Sequence, residues 1–329
     1  MYICYLARSN FSLIQMDAHE RYFARILFRN KVLESKGMDF ERLFVEVMSS
    51  ANADFRSPKP HGKEGDWKCD GYDSKTGQFY QVYAPEKPTE RVTDAVAKLE
   101  DALEGMLEKW NEFMPVKEYF FVYNDAFQGI YPEIEKRLSE LSQKHKLPCS
   151  LFLSRDLLRV FETLDDDAKA YCIQCPIPET TGSNKVVSYE ALNEVVNYIV
   201  SLPYERHKPE RIDLSPDFLK KIEFNALSQP VADLLKGGAH QIGALDRYFD
   251  MEPDLKVVLQ QRFVALYEEG KQRIANNHRG YGDELFFYIF EKACPQEPKK
   301  FFGDAVEVLM SYYFECCDIF EPPKTTLFD

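Results

Sequence analysis

Two short stretches of the chain carry polar residues whose spacing could bring them together in a metal site. If the run Gly-Asp-Trp-Lys-Cys-Asp-Gly forms a strand, Asp66, Lys68 and Asp70 share one of its faces. Across a turn, Gln81 and Tyr83 share one face of a second strand. Carboxylate and amide oxygens suit Mg²⁺, whose retained waters can attack a phosphodiester, and a nearby lysine offsets charge on the phosphate. We therefore expect a polar, metal-binding site at a sheet edge.

Hydrophobic periodicity predicts the elements that would position these residues. Apolar residues at helical spacing indicate helices, and short apolar runs bounded by Gly and Pro indicate strands. Strands that alternate with helices after an initial hairpin imply an α/β fold, a mixed sheet with helices on both faces. The predicted elements are helices at residues 17–34 and from the N-cap Asp39, strands at 66–72 and 78–84, a helix from Thr89 to Pro115, a strand at 117–123, a helix at 131–144, a strand at 149–153, and a helix that opens at Ser154 or Asp156.

The second half of the chain has almost no strand signal. Residues 176–185 are rich in Pro, Thr, Gly and Ser, which is typical of a linker. This predicts one domain at 1–180 and an all-helical docking domain at 186–329. Within the second domain, Gly237 and Gly238 indicate a turn. Its predicted helices lie at residues 189–202, 216–227, 255–276, 283–293 and 304–315.

The charge distribution allows nucleic-acid binding only at a local site. The chain has 41 Lys and Arg against 54 Asp and Glu, a net charge of −13, which argues against non-specific coating of nucleic acid. The loop at residues 56–63 is nevertheless basic. It predicts a DNA-binding segment formed by Arg56, Lys59, His61 and Lys63.

Residues 37–155 resemble the PD-(D/E)xK nuclease superfamily in its restriction-endonuclease-like branch. Phe40-Glu41 matches the Phe-Glu pair of that family's opening helix, and Asp70 matches the metal aspartate of its Gly-Asp-x-x-x-Asp-Gly strand. Gln81 matches a tolerated variant of the second acidic position. The resemblance implies DNA cleavage that depends on Mg²⁺ or Mn²⁺, with Glu41, Asp70 and Gln81 as metal ligands and catalytic residues.

The sequence departs from that family where the lysine of the motif belongs, because Tyr83 occupies this position. A tyrosine is neutral at pH 7 and cannot supply the positive charge. Lys68 is the best substitute, since it would share a strand face with Asp70. Lys63 and Lys87 are weaker candidates, and Glu86 could add a carboxylate.

Residues 230–323 resemble the C-terminal domain of the ABC-three-component conflict systems of prokaryotes. The resemblance rests on the segments at residues 238–246, 283–290 and 304–323. It implies that this domain tethers an N-terminal effector to an SMC-like ABC ATPase and a small middle-component protein. An ordinary bundle core would produce the same apolar stripes.

Other signals are weak. Cys172 and Cys175 have the spacing of half a zinc site but no second pair follows at a suitable distance, so we interpret them as ordinary cysteines. No phosphate-binding loop occurs, and no apolar stretch approaches the roughly 20 residues of a membrane span. The thinly spread cysteines indicate a reducing, cytoplasmic location.

Two hypotheses follow. The first is a metal-dependent DNA endonuclease effector of an anti-phage or anti-plasmid defence system, controlled by the ATPase partner. The alternative is a catalytically degenerate nuclease-fold adaptor that binds DNA or partner proteins, in which the alternating Asp and Lys residues line only a solvated sheet edge. A homo-oligomer is left open.

Overall fold

A computed structural model of the chain describes residues 16–60, 65–85, 92–179, 187–203 and 218–323, apart from residues 275, 277, 279, 298 and 317. These residues form a five-stranded mixed sheet and thirteen helices, so the α/β fold class is confirmed at that level. Among them, no helix is both long and apolar enough to cross a membrane.

The first half of the chain contains all the strands that the structure describes. Helix α1 has a capping box between Asp17 and Glu20, and Pro132 opens helix α4. The elements are α1 (Ala18–Glu34), α2 (Met38–Ala51), β1 (Phe55–Arg56), β2 (Gly71–Asp73), β3 (Gln78–Tyr83), α3 (Val92–Trp110), β4 (Glu118–Tyr123), α4 (Pro132–His145), β5 (Cys149–Leu153), α5 (Ser154–Thr163) and α6 (Asp166–Ile173).

The strands lie in the order β1-β2-β3-β4-β5. The pairs β1/β2 and β2/β3 are antiparallel, whereas β3/β4 and β4/β5 are parallel. Tyr80 and Val82 face a core that they share with α1, α2 and α5. Phe79 and Phe121 face a second core formed with α3 and α4. The prediction of a mixed sheet with helices on both faces is therefore confirmed.

Two details of the predicted first half are wrong. Residues 66–70 do not continue the strand, because β2 comprises only Gly71–Asp73. Asp39 is not the N-cap of α2, since Gly37 occupies that position with a φ of 48° and Asp39 lies in the first turn. Thr89 lies outside the described residues.

The described residues from 187 onward form helices only. They are α7 (Tyr189–Ser201), α8 (Phe218–Phe224), α9 (Gln229–Ala239), α10 (Ile242–Met251), α11 (Pro253–Arg273), α12 (Tyr281–Ala293) and α13 (Lys300–Glu315). Gly237 and Gly238 lie inside α9 and not in a turn, which corrects the sequence interpretation. A Cβ atom on Gly238 would come within 2.7 Å of the Glu307 carbonyl oxygen, so this glycine permits close contact between α9 and α13.

A continuous apolar core joins α1 to the C-terminal helices. The Phe23 ring in α1 packs 5.0 Å from the Phe287 ring in α12, and both side chains are fully buried. The Tyr22 hydroxyl donates a hydrogen bond of 2.7 Å to the buried Asp283. The boundary between domains at 1–180 and 186–329 stays a prediction.

Candidate functional site

Asp70 is a buried carboxylate at the beginning of β2. The register that pairs Gly71 with Tyr80 places it opposite Gln81. Its backbone N–H donates to the Tyr80 carbonyl at 3.0 Å. Its Oδ2 atom accepts a hydrogen bond from the Val82 N–H at 2.6 Å and another from the Gln81 amide. With only 6% of its surface exposed, Asp70 is held rigidly against the central strand.

Gln81 is more buried still, with 3% of its surface exposed. Its Nε2 atom donates to Asp70 and, at 3.3 Å, to the Val82 carbonyl. Its Oε1 atom is buried and accepts no hydrogen bond from any described residue. Buried polar atoms are almost always paired, and leaving one unpaired costs about 1–3 kcal/mol. The Gln81 carbonyl oxygen is therefore available as an acceptor or a ligand.

The electrostatics of Asp70 identify its charged neighbours. Burial raises its pKa to about 7, and the hydrogen bond from Val82 opposes that shift. The charges of Glu41 and Asp66 raise the pKa of Asp70 further, whereas the Lys98 ammonium lowers it. Burial, followed by the charge of Asp66, also raises the pKa of Glu41, and Lys98 again acts in the opposite direction. The three carboxylates and Lys98 thus form one electrostatic cluster.

The start of α2 brings Glu41 to this cluster. The Gly37 N–H donates to the Ala84 carbonyl at 3.3 Å, which attaches the N-terminus of the helix to the end of β3. Phe40, fully buried, anchors the first turn in the core. Glu41 follows it on the same turn, and its charge raises the pKa of Asp70, which Gln81 contacts directly. A shared metal site of these three residues stays a prediction.

The loop before β2 places the Lys68 ammonium against α3. Trp67 and Lys68 both have a φ of 59°, a left-handed conformation that is uncommon outside glycine. The Lys68 ammonium lies 2.6 Å from the Asp101 carboxylate on α3, and the Trp67 ring packs against Trp110. The expectation that Lys68 shares a strand face with Asp70 is wrong, because these residues are not in a strand.

Lys98 and Asp66 complete the cluster. The sequence places Asp66 near Asp70 but does not single out Lys98. Lys98 lies one helical turn before Asp101 on α3, next to the buried Leu99. On an amphipathic helix, a lysine beside the apolar stripe is indistinguishable from an ordinary surface lysine. Only the packing of α3 against the sheet reveals it.

Tyr83, which stands where the resemblance predicts a lysine, belongs to an aromatic layer. Its ring stacks on Phe121 and Tyr123, with centroid distances of 6.1 Å and 5.8 Å. These three residues lie on the face of the sheet that α3 covers. The layer explains why a tyrosine is stable here, because it buries apolar surface where a lysine would not.

A divalent-cation site at Asp70, Glu41 and Gln81 stays a prediction. Within the described ranges, no three Asp, Glu, His or Cys side chains converge in a way that could hold a metal ion. Mg²⁺ needs fewer than three such side chains, since it commonly binds one or two carboxylates and retains several waters. Asp70, Glu41 and the unpaired Gln81 Oε1 atom would be the ligands.

The predicted DNA-binding residues are only partly described. The Arg56 guanidinium donates to the Ala53 and Phe55 carbonyl oxygens at 2.6 Å and 2.8 Å, and the Lys59 side chain is exposed. His61 and Lys63 lie outside the described residues. The same is true of Glu86 and Lys87, the other residues considered for the site. DNA contact by this segment stays a prediction.

The Cys172 and Cys175 pair is buried and reduced. Both residues are free thiols, and burial raises the pKa of each. The third buried thiol in this region, Cys294, lies beside Cys175. Among the described residues, these cysteines do not belong to a group that could hold a metal ion.

Comparison with known proteins identifies the C-terminal helices only. Residues 190–321 match the family model of C-terminal domain 10 of the ABC-three component (ABC-3C) systems. This match suggests a component of a defence system, whose other components would be its partners. No curated protein matches the chain. No solved structure matches it either.

Proposed function

From the match of residues 190–321 to a domain of ABC-three-component systems, we propose that the chain is the effector of a prokaryotic anti-phage or anti-plasmid defence system. Its N-terminal half would be a restriction-endonuclease-like domain that cuts DNA with Mg²⁺ or Mn²⁺. An SMC-like ATPase and a small middle component would control it through the C-terminal helices.

One observation carries the nuclease proposal, the buried pair formed by Asp70 and Gln81. An ionised carboxylate that is 6% exposed is costly, and its pKa of about 7 reflects that cost. The unpaired Gln81 Oε1 atom adds a second unfavourable feature at the same place. Perturbed groups that gain no stability from their arrangement concentrate at functional sites. A bound divalent cation would relieve both costs.

Each residue has a distinct role in the proposed site. When bound, the metal would supply Lewis-acid activation of a scissile phosphate and of the attacking water. Asp70 and Glu41 would hold it, with the Gln81 Oε1 atom as a neutral ligand. The hydrogen bonds from Val82 and Gln81 orient the Asp70 carboxylate before the metal arrives. We assign the positive charge near the phosphate to Lys98, because Lys68 is engaged with Asp101.

The alternative function rests on Tyr83. An aromatic layer in place of the motif's lysine would suit a nuclease fold that binds DNA or partners without cutting. In that adaptor, Lys98 would be only a counter-charge for Glu41 and Asp70.

A plasmid-cleavage assay of the full chain decides between the two. It should be run with Mg²⁺ or Mn²⁺, with and without the other components of the system, on the wild type and on Asp70→Asn, Lys98→Met and Lys68→Met. We expect Asp70→Asn to abolish cutting and Lys98→Met to lower its rate by about 10²–10³-fold, the usual effect of removing one electrostatic contact to the transition state. Lys75→Met is the matched control, since this lysine is 79% exposed at the hairpin turn.

The outcomes separate the proposals. Metal-dependent cutting that survives Asp70→Asn would remove the proposed site. Loss of cutting in Lys68→Met but not in Lys98→Met would return the cationic role to Lys68. No cutting under any of these conditions would establish the adaptor in place of the nuclease.

A further inference from the structure

A large cleft lies beside the candidate site at the same edge of the sheet. Because β3 and β4 are parallel, their carboxyl ends meet at one edge, and ligands of open α/β sheets bind at such edges. Gln81 lies near the carboxyl end of β3, and Asp70 lies just before β2, on the other side of β3 from β4. The cleft lies on the β4 side of β3, where Pro85 and Tyr123 line it. Tyr83, two residues after Gln81, pairs with Tyr123 of the cleft, so the candidate site and the cleft share this end of adjacent strands.

The cleft has a volume of about 810 Å³, within the range of small-molecule sites. Its walls come from both halves of the chain. The loop between α1 and α2 contributes Lys36, the segment after β4 contributes Gln128 and Tyr131, and the end of α11 contributes Gln272 and Arg273.

Hydrogen bonds hold the floor of the cleft in place. The Asn124 amide donates to the Val32 and Ser35 carbonyls at 3.2 Å and 2.9 Å, which ties the end of β4 to α1. The Asp125 carboxylate accepts from the backbone N–H groups of Ser154 and Gly129 at 3.0 Å and 2.9 Å. Both side chains therefore stabilise the loop after β4 through hydrogen bonds to backbone groups, and the cleft exists without a ligand.

The exposed groups around the cleft suit a nucleotide. Tyr131 is 54% exposed and offers an aromatic face on which a base can stack. Lys36 is exposed and forms no ion pair within the described chain, so it can bind a phosphate. Arg273 is half exposed, although Glu269 at 2.7 Å and Glu34 at 3.8 Å share its charge. The two glutamine amides offer donors and acceptors to a base edge.

We propose that this cleft receives an unpaired nucleotide of the strand that the neighbouring site cuts. The inference rests on the proposed nuclease function and names its substrate class, DNA with single-stranded or unpaired positions next to the cleavage point. Stacking on Tyr131 holds the base, and Lys36 binds the adjoining phosphate. A paired base in a continuous duplex cannot reach the cleft without leaving its stack.

Fluorescence anisotropy tests the cleft without any need for cutting. The full chain carrying Asp70→Asn is titrated with a labelled oligothymidine of about twelve nucleotides, chosen to exceed the few nucleotides that such sites cover. A blunt duplex of the same length and free thymidine monophosphate serve as competitors. Tyr131→Ala and Lys36→Glu are compared with Tyr171→Ala and Lys75→Glu, which change exposed residues that do not line the cleft.

We expect the single strand to bind more tightly than the duplex and Tyr131→Ala to weaken that binding about tenfold or more, since stacking of one base contributes about 1–3 kcal/mol. Lys36→Glu should weaken it as well, and the two controls should stay within about twofold. Unchanged single-strand affinity in both cleft variants would overturn the proposal. Competition by free monophosphate as strong as by the oligonucleotide would also overturn it, in favour of a site for free nucleotides.

A cleavage measurement keeps the two proposals apart. If Tyr131→Ala, with Asp70 restored, cuts plasmid at the wild-type rate and binds single strands normally, the nuclease stands and the cleft proposal fails. If the wild type never cuts but its single-strand binding depends on Tyr131, the nuclease fails and the cleft stands only as a binding site for single strands.

Discussion

The buried carboxylate of Asp70 lowers the free energy of unfolding when it is ionised. This carboxylate accepts hydrogen bonds from two donors, yet burial raises its pKa to about 7. A pKa of about 7 in place of the ordinary 3.8 corresponds to about 4 kcal/mol that ionisation costs the folded state. An asparagine would keep both hydrogen bonds and avoid the charge.

We therefore predict that Asp70→Asn stabilises the metal-free protein at high pH. The folded pKa is raised, so the contribution of Asp70 to stability falls as the pH increases from about 4 to about 7. The variant should match the wild type near pH 4 and exceed it by up to about 4 kcal/mol at pH 8. Urea unfolding with a chelator at both pH values measures the difference. Glu291, whose pKa is also raised to about 7, titrates in both proteins and cancels.

We predict that a bound metal stabilises the wild type but not Asp70→Asn. At pH 8, millimolar Mg²⁺ or Mn²⁺ should raise the melting temperature of the wild type, because ligands that bind only the folded state stabilise it. Asp70→Asn should show no such increase, and Gln81→Leu should show a smaller one if Oε1 is a ligand. Sodium chloride at equal ionic strength controls for screening. Equal increases in the wild type and Asp70→Asn would place any metal elsewhere.

At the scale of elements, α9 and α13 depend on one glycine. An added Cβ atom at Gly238 would lie 2.2 Å from the Ser311 hydroxyl and 2.7 Å from the Glu307 carbonyl, whereas one at Gly237 would meet nothing within 4 Å. We predict that Gly238→Ala destabilises the protein by about 1–3 kcal/mol through overpacking. Gly237→Ala, its matched control, should stabilise it by about 0.5–1 kcal/mol through helix propensity. Denaturant unfolding of both variants tests this, and a neutral Gly238→Ala would contradict it.

Elements with a strong hydrophobic period could be predicted from the sequence. The helix at Ala18–Glu34 and the strands at Gln78–Tyr83 and Cys149–Leu153 occur within a residue or two of their predicted bounds. Their apolar residues repeat at the spacing of a single buried face, which few alternative structures share. The contact between Asp70 and Gln81 agrees with the predicted pairing of their two segments, whereas their role in a site stays a prediction.

Features that depend on packing between distant elements could not be predicted from the sequence. The residue types of Trp67 and Lys68 do not indicate a left-handed backbone, which is rare for both. The sequence therefore predicts a strand that continues through them. The cationic role of Lys98 depends on how α3 lies across the sheet. The sequence does not predict α9 and α10, because adjacent glycines usually indicate a turn. Here the glycines lie inside α9, and Gly238 allows close contact with α13.

At the scale of the whole molecule, α1 belongs to both halves. It packs on α5 and α6 through residues such as Phe28, which stacks on Phe161, and on α12 through Phe23. The Lys292 ammonium in α12 lies 2.6 Å from Glu34 at the end of α1. Three residues further along, Gly37 begins α2, which carries Glu41. A displacement of α12 would therefore reach the candidate site through a single helix.

We predict that this coupling is measurable by hydrogen exchange. Phe287→Ala should increase exchange in α1 and at the start of α2, because it removes the aromatic contact with Phe23. Phe249→Ala is the matched control, since its ring packs on Tyr312 within the C-terminal helices. It should increase exchange around α10 and α13 alone. Equal patterns in the two variants would show that α1 does not carry the coupling.

The sharing of α1 also sets an order of events on the ribosome. The face of α1 that carries Phe23 is translated long before α12, and until α12 emerges that face has no partner. A prematurely terminated chain would expose this apolar stripe and become a substrate for chaperones and proteases. We expect that α1 reaches its folded packing only after α12 has been synthesised, so that a truncated chain is degraded and does not fold into a separate N-terminal domain.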